Sequence, residues 1–206
     1  MSSTADDPAA SPPAVRDPAA LLDHTRRQWG GNSDLWLFGY ASLIWRPDFE
    51  PDEQRPAIVY GYHRTLRMRS RVNRGTPTNP GLVFALIGGG SCSGVVYRVA
   101  HSRASDILDQ LWLREMPTGV YTPRWLAART PGGTVRALAF TLERSSPNFT
   151  GVMDDARLLE VLRHARGRYG TTLDYLLDTA RGLRERGIHD REIERLVRLA
   201  QRHGLV

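Results

Sequence analysis

The sequence predicts an α+β fold, a closed or strongly curved mixed sheet with helices on one side. Two features predict it. Residues 35–141 are mostly strand-like with one helical interruption, and after Pro147 helical spacing runs to the end of the chain. The composition fits a globular body: of 206 residues, 41% are apolar, 24% charged and 8% aromatic, which excludes wholesale disorder and low-complexity structure. A chain of this length buries roughly 70% of its unfolded surface, enough for one core without metal or disulfide staples. The organisation read from it is a flexible tail over residues 1–20 and a single domain over residues 21–206, because no linker-like segment divides the body.

The elements follow in chain order. The first twenty residues are rich in Pro, Ala and Asp and lack a basic n-region and an apolar h-region, so they read as a tail rather than a signal peptide. Amphipathic spacing over residues 21–29 predicts a helix that Gly30-Gly31-Asn32 breaks, and residues 35–38 form a short apolar strand running into a Gly39-Tyr40-Ala41-Ser42 turn. Residues 57–70 alternate in part, with Tyr60, Tyr62, Arg64, Leu66 and Met68 on one face. A loop at 74–81 leads to a strand at 82–87, the glycine-rich stretch 88–94 predicts a turn into a strand at 95–99, and 135–141 is a further strand. Ile107, Leu108, Leu111 and Trp112 recur at helical spacing, with Ser102 or Ser105 as the expected N-cap and Pro117 as the stop. Helices are expected over 154–169, 172–187 and 190–203.

Charge and cysteine content narrow the function classes. Every one of the 28 basic side chains is an arginine, the formal net charge is +6, and the pI near 10.1 biases the protein toward anionic ligands. The single cysteine, Cys92, forbids an internal disulfide, reads as a small half-buried strand residue, and together with the tail points to a reducing cytoplasm. No stretch of 18 uncharged apolar residues exists to span a bilayer. The phosphate-binding and dinucleotide-binding glycine motifs are absent, and residues 88–94 run into a strand rather than a helix N-terminus. Ser42 lies outside a G-x-S-x-G elbow, and the histidines at 24, 63, 101, 164, 189 and 203 lack zinc-ligand spacing, so no metal is implied. His189-Asp190, followed by Glu192 and Glu194, reads as surface capping of the last helix.

Three features can carry chemistry. Glu115 lies four positions after Leu111 and three after Trp112, at the end of the predicted helix, where lost hydration raises a carboxyl toward the range of a general base. Arg114 beside it is expected to point about 100° away. The turn around Gly39-Tyr40-Ala41-Ser42-Leu43 exposes successive backbone N–H groups, suited to a carboxylate or an oxyanion. Arg74-Gly75-Thr76-Pro77, preceded by Arg69-Ser70-Arg71, offers guanidinium forks for a ligand carboxylate. Each has a plainer alternative: a core-edge glutamate paired with an arginine, a tight turn, and a solvated basic hairpin.

Taken together, the ordered segments Leu35-Trp-Leu-Phe-Gly-Tyr-Ala-Ser-Leu-Ile-Trp45, Gly61-Tyr62-His63-Arg64, Arg74-Gly-Thr-Pro77 with Pro80-Gly81, Gly90-Ser-Cys-Ser-Gly-Val95 and Leu111-Trp-Leu-Arg-Glu-Met116 resemble the ChaC family of γ-glutamylcyclotransferases. Pro147-Asn148-Phe149 with Gly151 and Asp174-Tyr175-Leu176 extend the likeness over about residues 35–199. The resemblance implies a γ-glutamylcyclotransferase-like fold, a small mixed β-barrel flanked by helices and followed by C-terminal helices. It also implies a carbon–nitrogen lyase that cleaves reduced glutathione to 5-oxoproline and cysteinylglycine without a cofactor. By motif matching, Glu115 takes the proton-acceptor position, and Leu37, Phe38, Gly39, Tyr40, Ala41, Ser42 and Leu43 take that of the substrate-binding turn, with Arg69 and Tyr175 as lesser ligand contacts. Ala41 stands where the family usually has the middle glycine of Tyr-Gly-Ser-Leu, a change that costs little if φ is negative there.

Other readings compete. The pocket can serve another γ-glutamyl compound, or bind glutathione without turnover. A non-enzymatic nucleic-acid binder is suggested by the pI and by the aromatics among the arginines of residues 60–74, against which stand the acidic residues interspersed throughout. The expected partner is a small-molecule substrate, with neither nucleic acid nor membrane, and the oligomeric state is left open.

Overall fold

The computed structural model of the protein describes residues 16–206; the first fifteen residues of the expected tail lie outside that range. The chain enters helix α1, Pro18–Trp29, three residues ahead of the apolar spacing. Asp17 explains the early start: its side chain accepts from the Ala19 N–H at 2.9 Å, and Pro18 occupies the one helical turn that needs no N–H donor. Gly30, at φ 85°, ends the helix.

Five strands then close into a barrel. They are β1 (Leu35–Gly39), β2 (Glu53–Ser70), β3 (Gly81–Val99), β4 (Thr122–Thr130) and β5 (Gly133–Thr141), in the order β1-β3-β2-β4-β5. All neighbours run antiparallel except at the closure, where β5 lies parallel to β1 at Leu37↔Leu138 and to β3 at Leu86↔Thr141. The small mixed barrel expected from the sequence is thus present. Phe38, Phe84, Leu86, Ile87, Tyr97 and Leu138 on its strands are all below 4% exposed, packed on one face or the other of the barrel wall.

Two strand expectations are corrected. The glycines at 88–94 do not turn the chain; β3 continues through them, and the β2–β3 register shifts where Gly61 (φ 81°) faces Gly89 and Gly90 (φ 103° and 74°). Glycine there lets two long strands bend together instead of ending. The strand β4 was not singled out, because Thr122-Pro-Arg-Trp-Leu-Ala-Ala-Arg-Thr130 is half-buried along most of its length and shows no clean alternation. It pairs with β5 across the two residues Pro131-Gly132.

Helix α3, His101–Glu115, follows β3 after one residue. Neither Ser102 nor Ser105 caps it. The Ala100 N–H donates to Asp52 at 2.7 Å and the His101 N–H to Asp34 at 2.9 Å, so carboxylates remote in sequence do the work of a local cap. α1 lies against this helix through the Arg26–Asp109 ion pair at 2.6 Å and a Trp112 Nε1 bond to the Pro18 carbonyl at 2.8 Å.

The C-terminal part is helical as expected, with one break. Helix α4 covers Asp155–His164 and stops before Tyr169, because residues 166–171 fold into a small hairpin, β6 (Arg166–Gly167) and β7 (Gly170–Thr171), with Gly170 at φ 106°. Helix α5, Thr172–Arg184, starts at once with a reciprocal Thr171–Asp174 capping box, and α6 spans Arg191–Arg202. Asp190 does cap α6, accepting from the Ile193 N–H at 3.0 Å, but it is more than a surface cap, since the buried Arg64 guanidinium of β2 donates to its other oxygen at 2.5 Å.

Candidate active site

The apolar stripe of α3, Ala104, Leu108, Leu111 and Trp112, is buried, and this sets the direction in which the helix end points. Glu115 is its last residue. The side chain is 15% exposed and lines a cavity of about 680 Å³. Burial pushes its carboxyl above the ordinary glutamate value, the Arg114 guanidinium pulls the other way, and Asp48 adds to the upward push.

Arg114 departs from expectation. Neighbouring helical residues diverge at Cβ, but this long side chain reaches back until its Nε is 3.1 Å from Glu115 Oε1. Its Nη1 donates to the Arg46 carbonyl at 2.6 Å and to Asp48 at 2.8 Å, and its Nη2 to Ser42 Oγ at 3.1 Å. Asp48 also accepts from Arg46 Nε at 2.9 Å and holds φ at +60°, a left-handed conformation that aspartate tolerates better than most residues. One guanidinium therefore joins the acid at the end of α3 to the segment after β1. Asp48 is a site residue the sequence reading missed, because only the fold brings it to Arg114.

That segment is α2, Ser42–Trp45, a single helical turn where a plain turn was expected. Ala41 adopts φ −140°, so the position does not call for the positive φ that favours glycine. Gly39 is required for a different reason: a Cβ there would sit 2.9 Å from the Tyr97 ring and 3.1 Å from Leu43 Cβ. The turn is pinned from two sides, with Arg64 Nη1 donating to the Tyr40 carbonyl at 2.5 Å and the Tyr97 hydroxyl to the Leu43 carbonyl at 2.9 Å. Of the seven turn residues expected at the site, Ser42 lines the cavity; Leu37, Phe38, Gly39, Tyr40, Ala41 and Leu43 are buried in the core around it.

The structure brings Arg69 and Tyr175 to the same cavity. Arg69 donates its Nη1 to the carbonyls of Pro147 at 2.9 Å and Phe149 at 3.2 Å, which tethers the loop after β5. Tyr175 is carried by α5, which seats Gly182 against Ile44 and Trp45 of α2. Its ring packs beside Phe84 and Trp45. Tyr121, which the sequence reading did not single out, is also part of the wall. Burial, reinforced by the Glu115 carboxylate, pushes both phenols well up, so they remain protonated donors at neutral pH. Six arginines (46, 69, 71, 74, 114 and 168) and two carboxylates (Asp48 and Glu115) line the cavity, a positive excess that suits an anionic ligand.

Cys92 is fully rather than half buried in β3, and burial pushes its thiol up to about 11, which leaves it a poor nucleophile. Among the described residues no group of three His, Cys, Asp or Glu side chains is placed to hold a metal ion, and no helix is long and apolar enough to cross a membrane.

The barrel and its helices have a solved counterpart. The crystal structure of a γ-glutamyl cyclotransferase specific to glutathione from yeast shares the fold with a TM-score of 0.76 at 21% identity, over 84% of this chain and 97% of that one. The family model for ChaC-like protein matches residues 35–203, and the chain belongs to this family. A glutathione-specific γ-glutamylcyclotransferase of Escherichia coli is 34% identical over 157 residues, 76% of this chain and 68% of the relative. Glutathione-specific γ-glutamylcyclotransferase 1 of Homo sapiens is 31% identical over 175 residues, 82% of this chain and 78% of that protein. A relative of the same description from Schizosaccharomyces pombe is 30% identical over 189 residues, covering 80% and 92%.

Proposed function

We propose that the protein is a glutathione-specific γ-glutamylcyclotransferase with Glu115 as its general base and acid. The observation that carries this reading is the placement of Glu115: a carboxyl held mostly out of water at the end of α3, its proton affinity raised, on the wall of a cavity rich in arginine. Membership of the ChaC-like family and the curated relatives supply the substrate class.

The chemistry asks little beyond what these residues offer. In a γ-glutamyl peptide the α-amine and the δ-carbonyl belong to one molecule, so folding the ligand into a near-attack shape does much of the work. Glu115 takes a proton from the α-ammonium, and the freed amine attacks the δ-carbon. The tetrahedral oxyanion then collapses, and the bond from the δ-carbon to the peptide nitrogen breaks as Glu115 returns the proton to that nitrogen. The carboxylate then passes the surplus proton of the ring nitrogen to the released amine, giving 5-oxoproline and cysteinylglycine as its ammonium. Ser42, the residue of the 37–43 turn on the cavity wall, offers its backbone N–H to the substrate α-carboxylate or the oxyanion, a donor role typically worth about 3–4 kcal/mol of barrier. Arg114 keeps Ser42 and Glu115 in fixed relation.

Incubating the purified protein with a panel of γ-glutamyl compounds and quantifying 5-oxoproline tests the reading. Turnover of glutathione with little from free γ-glutamyl amino acids is expected. Equal turnover of both keeps the reaction and rejects the specificity, and no 5-oxoproline from any compound rejects both.

A further inference from the structure

Two arginines among the described residues are buried, and one of them has no carboxylate in contact with it. Arg74 is 7% exposed and forms part of the cavity wall. Its Nη1 donates to the Tyr169 carbonyl at 2.6 Å and, more weakly, to that of Thr171 at 3.4 Å. No carboxylate of the described residues comes within 4 Å of it, and Nε and Nη2 donate to none of them. Burial is the larger effect on the guanidinium and lowers its affinity for its proton, while Asp178 and Asp174 favour its charge from beyond that distance.

The chain around Arg74 is built to hold it there. Its N–H donates to Ser70 Oγ at 3.0 Å, and the loop is pinched so tightly that a Cβ on Gly75 would run into the backbone of Gly81 and Asn79. The β6–β7 hairpin is joined to the same loop by the Arg168 N–H to the Val72 carbonyl at 2.8 Å and the Tyr169 N–H to the Asn73 carbonyl at 2.9 Å. Tyr175 lies near both Arg74 and Glu115. The guanidinium carbon lies 5.2 Å over the Tyr175 ring, and the Tyr175 hydroxyl in turn feels the Glu115 charge.

The two carboxylates of a γ-glutamyl tripeptide lie at different distances from the reacting amine. The α-carboxylate shares a carbon with the reacting amine and must lie beside Glu115. The C-terminal carboxylate lies two residues farther along, each residue reaching about 3.5 Å when extended. We propose that Arg74 binds this distal carboxylate, the glycyl carboxylate of glutathione, and thereby selects the tripeptide over γ-glutamyl compounds whose second carboxylate lies closer in or is missing. The inference deepens the glutathione reading above and rests on it.

The test compares reduced glutathione with its glycyl monoethyl ester, in which only the distal charge is masked. Binding is measured by calorimetry on full-length protein carrying Glu115→Gln, so that ligand is not consumed, and 5-oxoproline release is followed in parallel with Glu115 intact. Glutathione is expected to bind at least about tenfold more tightly than the ester. Adding Arg74→Met should weaken glutathione to the level of the ester while leaving the ester unchanged, and Arg74→Lys should restore part of the difference. Equal binding of acid and ester without any Arg74 change overturns the assignment, as does a loss in Arg74→Met that is the same for both ligands. If glutathione binds with the expected preference but releases no 5-oxoproline, the assignment stands and the cyclotransferase reading falls; if glutathione does not bind at all, both fall.

Discussion

Arg64 and Arg74 stand ten residues apart, one within β2 and one just past its end, and both are buried. Arg64 has its counter-charge inside the protein: Nη2 pairs with Asp190 at 2.5 Å, Nη1 donates to the carbonyls of Tyr40 at 2.5 Å and Ser93 at 3.2 Å, and Nε alone is left without a partner. It ties the barrel to the cap of α6 and to the turn before α2. Arg74 touches only carbonyl oxygens and a tyrosine face, feels Asp174 and Asp178 from beyond contact distance, and borders open space. The difference teaches that burial of a charge does not by itself separate support from function. A buried guanidinium in contact with an internal carboxylate holds the fold; one whose nearest carboxylates stand off from it is open to a ligand's.

The comparison can be sharpened first at the cavity. Glu115→Gln should lower kcat by about 10²–10⁴-fold, the usual worth of a positioned proton carrier, with glutathione affinity within about tenfold and the circular-dichroism melting curve in place. A melting temperature that collapses along with kcat would move Glu115 to the supporting class. On the other side, Arg64→Met leaves Asp190 without its buried partner and should cost about 3–5 kcal/mol in urea denaturation. Adding Asp190→Leu should recover a large part of that loss, and if Arg64→Met unfolds at the wild-type urea concentration, the contrast between the two arginines is broken.

The smallest effect is a shift in pH dependence. The base works as a carboxylate, and its raised proton affinity keeps it protonated to higher pH than an ordinary glutamate. The acidic limb of kcat/KM should therefore lie above about 4.3, the unperturbed glutamate value. Arg114 is the neighbour that pulls this affinity down, so Arg114→Met should move the limb further up in pH. A limb that stays put or moves down would remove Arg114 from direct contact with the base.

The barrel was legible because β1 is a short apolar run and β3 carries apolar segments with Val and Ile on either side of its glycines, and Glu115 because Leu111 and Trp112 fix the face of α3. What stayed hidden depends on groups meeting across the fold. The cap of α3 comes from Asp34 and Asp52, the partner of Arg114 is Asp48, and a guanidinium can fold back onto the next residue in a way that helical geometry at Cβ does not reveal. The turn at residues 37–43 was found as a segment, yet the pleat of β1 and the packing of α2 send most of its side chains inward, so that only Ser42 reaches the cavity. The expected substrate came from the ordered motifs rather than from any property of the residues taken singly.

Glu115 closes α3, a helix of fifteen residues. The peptide dipoles of such a helix add up to roughly half a negative charge at its carbonyl end, and the carboxylate stands in that field whatever its neighbours are. Part of the proton affinity is thus written into the main chain. Substitutions among the surrounding arginines can tune it, but none can take away the backbone electrostatics that keep this acid reluctant to ionise.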